Sequence, residues 1–277
     1  MSASTGARRF TAPEGACDCH VHIYEAGYPL APTATFEPPP APLAAYQAVQ
    51  RALGLTRAVI VQPTGYGFDN RCTLAALHRL GASARAIIVT DASVSDDTLQ
   101  QWHAAGVRGV RFMMLAGGVL PWAQLEPVAE CIRPLGWHIN LQIDGADFPA
   151  LEDRLAKLAV DLVIDHNGKF LSPPTVQDPA FLALRRLLDR GRAWVKLSAP
   201  YETSRNGPPG YDDVGALART LAHAYPQRCL WASNWPHPNR VPAPDDADLL
   251  ALLDQWAPDR AGAARILVDN PGQLYGF

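Results

Sequence analysis

The chain has 277 residues and a net charge of −3, with 48% apolar and 18% charged residues. That apolar share can fill a large core, and the charge is too low to track a phosphate backbone, so nucleic acid is not an expected partner. No apolar run approaches the roughly 18 residues of a spanning helix, so no membrane is expected either.

The first nine residues are polar and hold no apolar signal core, which points to a cytoplasmic protein. The five cysteines (Cys17, Cys19, Cys72, Cys131, Cys229) are scattered and form no CxxC. They read as reduced thiols rather than a disulfide frame or a zinc site.

Eight β-like runs follow in chain order, at residues 16–22, 58–62, 86–91, 107–113, 137–142, 162–166, 193–198 and 229–234. Helix-periodic segments lie between them, among them 97–105, 122–132, 148–158, 179–189 and 214–224. Most of the runs are apolar at nearly every position, as strands covered on both faces should be. Strands alternating with helices predict a parallel sheet, and eight units in about 260 residues predict a closed (β/α)8 TIM barrel, α/β in class. An open doubly wound sheet is the alternative, although no GxGxxG follows the first run. The expected organisation is one domain over 1–277, with the barrel from about residue 16 and a tail at 1–15.

Residues 29–42 hold six prolines, too many for a helix, and are expected to form an extended loop, either over the barrel mouth or as a surface excursion with no role. A second loop, residues 202–213, follows the seventh run. In a barrel the loops after the strands build the active site.

The chemistry gathers at the predicted strand ends. His20 and His22 close the first run, and side chains two apart on a strand share a face. His166 closes the sixth run after Asp165. Asn234 closes the eighth, in Trp231-Ala232-Ser233-Asn234-Trp235-Pro236-His237. Each histidine alone could be structural, but three converging on one rim beside Asn234 are harder to explain that way.

This constellation resembles the amidohydrolase superfamily. The resemblance rests on the first-strand HxH (His20, His22), the sixth-strand His166, the Trp-x-Ser-Asn-Trp-Pro-His-Pro segment and the C-terminal run 266–277. It covers nearly the whole chain and is closest to the amidohydrolase 2 branch, in particular to 2-pyrone-4,6-dicarboxylate lactonases and D-galactarolactone isomerases. The resemblance implies a metal-independent enzyme whose three histidines polarise a lactone carbonyl. It also implies an eighth-strand aspartate that activates water.

Here that position is Asn234, and an amide cannot serve as base. Either another group such as His237 or Asp165 delivers water, or a hydroxyl of the substrate attacks the carbonyl. Intramolecular attack has a large effective concentration, needs less base catalysis and would make the enzyme a lactone isomerase. No cofactor is therefore expected. The runner-up is one zinc on His20, His22 and His166. A binuclear site would need ligands from the fourth and fifth runs, but these offer Arg108 and Arg111, which stay protonated, and Gln142; the cationic arginine also opposes a single zinc.

The expected partner is a small lactone carrying a carboxylate. Arg111 resembles the carboxylate-binding arginine of the family and presents a forked donor. Gln62, Thr64, Tyr66 and Asn70 are similar to its polar substrate loop. Gln142, Lys196, Tyr201 and His237 complete the expected binding set. The resemblance to the dicarboxylate lactonases implies further arginines in the loops after the fourth and seventh runs; here the first has none and the second only Arg205, which favours a polyhydroxy sugar-acid lactone.

The expected reaction is isomerisation of the D-galactaro-1,5-lactone to 1,4-lactone type. Alternatives are a lactonase acting on a 2-pyrone-4,6-dicarboxylate-like or sugar lactone, a zinc-dependent hydrolase or decarboxylase of the same superfamily, and a barrel that binds sugar acids without turnover.

Overall fold

A computed structural model describes residues 10–277; residues 1–9 of the expected tail lie outside the described residues. Eight strands form one parallel sheet in sequential order: β1 (Cys17–Val21), β2 (Arg57–Val61), β3 (Ala84–Ile88), β4 (Val107–Met113), β5 (His138–Gln142), β6 (Leu162–Ile164), β7 (Ala193–Ser198) and β8 (Cys229–Ala232). The third strand starts and ends earlier than the sequence pattern indicated. Helices such as Asp96–Ala105, Pro179–Asp189 and Asp212–Ala224 follow their strands and cover the sheet. Their starts carry ordinary signals, for instance Ser95 accepting from the Thr98 N–H and Asp178 accepting from the Ala180 N–H.

The sheet closes where the chain leaves β8. The Asn234 N–H donates to His20 O at 3.0 Å and the His22 N–H to Trp235 O at 2.8 Å. Asp18 locks the same seam from a fully buried position. Its carboxylate accepts from Ser233 N at 3.0 Å and Ser233 Oγ at 2.6 Å, and from His20 N at 3.3 Å. Two apolar layers result. The larger lies between sheet and helices and contains Val21, Ala58 and Ile60; the smaller fills the lower barrel and contains Cys17, Cys19, Val59 and Val61.

A β-bulge in β1 decides where the first two histidines point. Asp18 pairs with Ala58 and Val21 with Ile60, so three steps on β1 match two on β2. Cys19 and His20 together oppose Val59, and the inward phase changes between them. Below the bulge Cys17 and Cys19 face the interior; above it His20 and His22 do. Strict alternation from Cys17 would have turned both histidines into the helix layer.

The bottom of the barrel is plugged by the C-terminal helix Asn270–Tyr275. Tyr275 is fully buried with its ring 5.4 Å from that of His138, and the Arg85 guanidinium holds the Tyr275 and Gly276 carbonyls. His138 thus faces the lower interior, away from the mouth.

The proline-rich segment lies over the mouth. It is tied down by a Tyr24–Ala41 bridge and by the Ala31 N–H donating to Gly65 O at 2.8 Å, and it brings Thr35 and Phe36 to the cavity.

The β1–β8 seam gives a direct stability test. Replacing Ser233 by Ala deprives the buried Asp18 carboxylate of a donor and leaves the Trp235 N–H, now 2.9 Å from Ser233 Oγ, without its acceptor. The variant should lose ~1–3 kcal/mol in chemical denaturation. An unchanged midpoint would show that the seam does not depend on this hydroxyl.

Candidate active site

The cavity at the C-terminal ends of the strands measures about 280 Å³ and is lined by His22, Thr64, Arg111, Gln142, His166, Tyr201 and Asn234 among the residues expected from sequence. It also takes in Lys169, Glu202 and Arg240. All described non-glycine residues with left-handed backbone fall in the loops after β6, β7 and β8: His166, Asn167, Lys169, Ala199, Tyr211, Asn234, His237 and Asn239. Such conformations cost of order 1 kcal/mol or more each, and here they concentrate on the side of the mouth that holds the reactive groups.

Beneath the cavity floor lies a fully buried polar cluster. Lys196 Nζ sits 3.1 Å from Asp165 Oδ1, 2.5 Å from Asn140 Oδ1 and 3.0 Å from His20 Nδ1. Asn140 Nδ2 donates to Asp165 Oδ2 at 2.8 Å. Burial alone would raise the Asp165 carboxyl, but the Lys196 ammonium overcomes it and holds the group well below the usual carboxylate range. Burial pulls the Lys196 ammonium down, with Asp165 opposing.

These partners assign the histidine tautomers. His22 Nδ1 lies 2.8 Å from the Val61 carbonyl and must donate to it. His22 Nε2 is then an acceptor, 3.2 Å from His20 Nε2, which carries the proton. His20 Nδ1 in turn accepts from Lys196. His166 Nδ1 is engaged by Ser198 Oγ at 2.8 Å, which leaves Nε2 for the cavity.

A second chain runs from the rim outward. Asn234 Nδ2 donates to Tyr201 Oη at 2.9 Å and to Glu202 Oε1 at 3.0 Å. Tyr201 passes its proton's bond on to His237 Nδ1 at 2.9 Å, and His237 Nε2 donates to Asp246 Oδ1 at 3.1 Å. Burial pushes the Tyr201 phenol far up. Glu202 also pairs with Lys169. Burial lowers the Lys169 ammonium to about 8.

Several expected site residues have other work. His20 and Lys196 lie below the cavity, completely buried, and do not line it. Gln62 Nε2 donates to the Gly67 and Asp69 carbonyls while its Oε1 accepts from Thr73 Oγ1, so its amide holds the loop after β2. Asn70 bridges Phe68 O and both backbone groups of Val89. Tyr66 packs on Tyr24 and Tyr28. His237 stands behind Tyr201 with both ring nitrogens used. The two groups considered as substitute bases, His237 and Asp165, are therefore each locked into a network.

Lys169 and Arg240 escaped sequence reasoning. The only signal for Lys169 was its place three residues after His166, in a loop following a strand.

Among the described residues, His20, Asp165 and His166 are the one set of potential metal ligands whose atoms converge within 4.8 Å. The His20 and His22 Nε2 atoms have the spacing of two ligands on one ion. The remaining donors suit a cation less well. Asp165 is neutralised by Lys196, the Asn234 amide nitrogen faces Glu202, and Arg111 is buried at the same level.

The amidohydrolase family profile matches residues 17–277. The chain belongs to the amidohydrolase family. This amidohydrolase is 36% identical over 269 residues to the D-galactarolactone isomerase of Agrobacterium fabrum, covering 95% of this chain and 91% of that one. It is also 36% identical over 280 residues to the 2-pyrone-4,6-dicarboxylate hydrolase of Comamonas testosteroni, covering 96% and 92%. An apo crystal structure from Agrobacterium tumefaciens superposes with a TM-score of 0.91 at 36% identity, covering 96% of this chain and 97% of the other. The relatives named are thus a lactone isomerase and a lactone hydrolase, at equal identity.

The buried histidines make the amidohydrolase sensitive to acid. Burial holds His20, His22, His138 and His166 below the ordinary imidazole value, His22 and His138 at about 3. The unfolded chain protonates each near pH 6.5, and the folded chain does not. Stability is full above that pH and falls below it, by ~1.4 kcal/mol per pH unit for each histidine until its folded value is reached. Asp18, raised to about 7 by burial against the Ser233 donors, works in the opposite direction with one proton against four. The urea midpoint should drop steeply between about pH 7 and 5; a flat profile would contradict the neutral histidines.

Proposed function

We propose that this amidohydrolase isomerises a carboxylated sugar lactone of the D-galactaro-1,5-lactone type, without a metal, in sugar-acid breakdown in the cytoplasm. The observation that carries the reading is the Asn234 side chain. It sits at the end of β8 facing the cavity and donates its amide protons to Tyr201 and Glu202, so it cannot take a proton from water. A substrate hydroxyl already held beside the carbonyl needs no delivered water.

Cations and polar groups of the cavity fit such a ligand. Arg111 spends one N–H on the Gln62 carbonyl at 2.8 Å and one on Gln142 Oε1 at 3.1 Å, which fixes the guanidinium and leaves other donors for a carboxylate. His166 Nε2 is the ring nitrogen open to the cavity, and with Ser198 Oγ donating to Nδ1 it carries the proton offered to the lactone carbonyl oxygen, where negative charge develops during attack. His22, an acceptor at Nε2, orients that edge of the cavity, and His20 acts through it from below. Arg111, Lys169 and Arg240 at the cavity supply positive charge from the chain itself, which supports a metal-free site.

The test is proton NMR of D-galactaro-1,5-lactone with the enzyme in buffered water. A second lactone should build up before open acid appears, and the rate should survive exhaustive chelation. Open acid as first product would assign hydrolysis instead, the activity of the equally similar Comamonas relative. Activity that is lost on chelation and restored by zinc would overturn metal independence. Replacing Arg111 by Gln should raise KM about 10- to 100-fold, the worth of one charge-assisted contact, with a smaller change in kcat. An unchanged KM would remove Arg111 from carboxylate binding.

A further inference from the structure

Asn234 does more than leave a base position empty. Its amide nitrogen holds the Glu202 carboxylate at 3.0 Å, and Lys169 pairs with the other carboxylate oxygen. Glu202, Lys169 and Asn234 all line the same cavity as His22 and His166. The Glu202 side chain is 18% exposed and that of Lys169 10%, so both are confined to the cavity wall with an open side. Glu202 is presented by the short turn Pro200–Glu202, entered through the left-handed Ala199, which aims Tyr201 and Glu202 together at one amide. Each carboxylate oxygen can accept two hydrogen bonds, so Asn234 and Lys169 leave acceptor capacity for a ligand.

We propose that Glu202 is the proton-transfer residue of the ring exchange, held for that task by Asn234 and Lys169. The inference rests on the lactone isomerase reading and deepens it. In a 1,5- to 1,4-lactone conversion the attacking and departing oxygens sit on neighbouring carbons. The C4 hydroxyl oxygen forms a bond to C1 while the carbonyl π pair moves to its oxygen, and Glu202 takes the hydroxyl proton. The carbonyl then re-forms, the bond from C1 to the C5 oxygen breaks, and that oxygen receives the same proton from Glu202. No water is consumed, and the carboxylate is regenerated. One carboxylate suffices because the two oxygens are vicinal.

The same geometry gives the amide at position 234 a physical reason. An aspartate there would place a second carboxylate about 3 Å from Glu202, and two such groups cannot both ionise. It would also remove the donor that orients Glu202. The carboxylate is thus displaced from the end of β8 to the loop after β7, and asparagine is the residue that permits this.

The experiment compares wild type, E202Q, N234D and the double variant N234D/E202Q on D-galactaro-1,5-lactone, with products followed by NMR and folding by circular dichroism. E202Q keeps the acceptor for Asn234 and should fold normally. Its kcat should fall by about 10²-fold or more with KM changed less than about threefold, and the acid limb of the kcat profile should flatten. A kcat within about threefold of wild type would overturn the proposal. N234D alone should also lose activity, and the double variant, which restores one carboxylate and one amide across the contact, should recover at least about tenfold over N234D.

Should E202Q unfold, the double variant decides: recovery supports the pair, and no recovery overturns it. The wild-type product reports on the isomerase reading separately. A second lactone with an active E202Q refutes only Glu202, whereas open acid from wild type refutes the isomerase reading and the ring-exchange role with it.

Discussion

The site depends on an ion pair buried in the middle of the barrel. Lys196 and Asp165 are both fully inaccessible and 3.1 Å apart, with Asn140 bonded to each. Taking two charges out of water is costly, and further hydrogen bonds to each partner help to sustain the pair. Asp165 accepts from Asn140, and Lys196 donates to Asn140 and His20. Removing one partner would leave an uncompensated charge at a cost of about 3–5 kcal/mol. What the pair provides is orientation. A protonated Lys196 makes His20 Nδ1 an acceptor, and through the Nε2 contact this makes His22 an acceptor towards the same edge. The protonation pattern of the cavity floor is set from beneath.

Above that floor the rim is a separate network with a different logic. Asn234 links two branches, one through Tyr201 and His237 to Asp246 and one to Glu202 and Lys169. The first branch consumes His237 and fixes the tyrosine. The second keeps a carboxylate in the cavity beside an ammonium. Both hang on loops whose backbones carry the left-handed residues, a concentration of local strain that the surrounding hydrogen bonds sustain.

Arg111 ties the cavity wall to the scaffold. It is buried, it is held by the β2 carbonyl end and by Gln142, and its Nε has no partner among the described residues. An unpaired donor on a buried guanidinium is costly.

The barrel was legible in the sequence because strands buried on both faces must be apolar throughout, and the spacing of eight such runs leaves few other architectures. His22, Thr64, Arg111, Gln142, His166, Tyr201 and Asn234 were legible as cavity-lining residues because a barrel places strand ends on one rim. The roles of Gln62, Asn70, His20, Lys196 and His237 were not, since a polar residue near a strand end can face a ligand or a backbone group with equal ease. The sequence by itself determined the fold and the absence of a carboxylate at position 234. Only the tertiary structure decided which way the histidines point, through a one-residue bulge that inverts the strand's alternation. It alone brought Glu202 and Lys169 to Asn234, because those contacts join loops after three different strands and no local pattern encodes a distance between them.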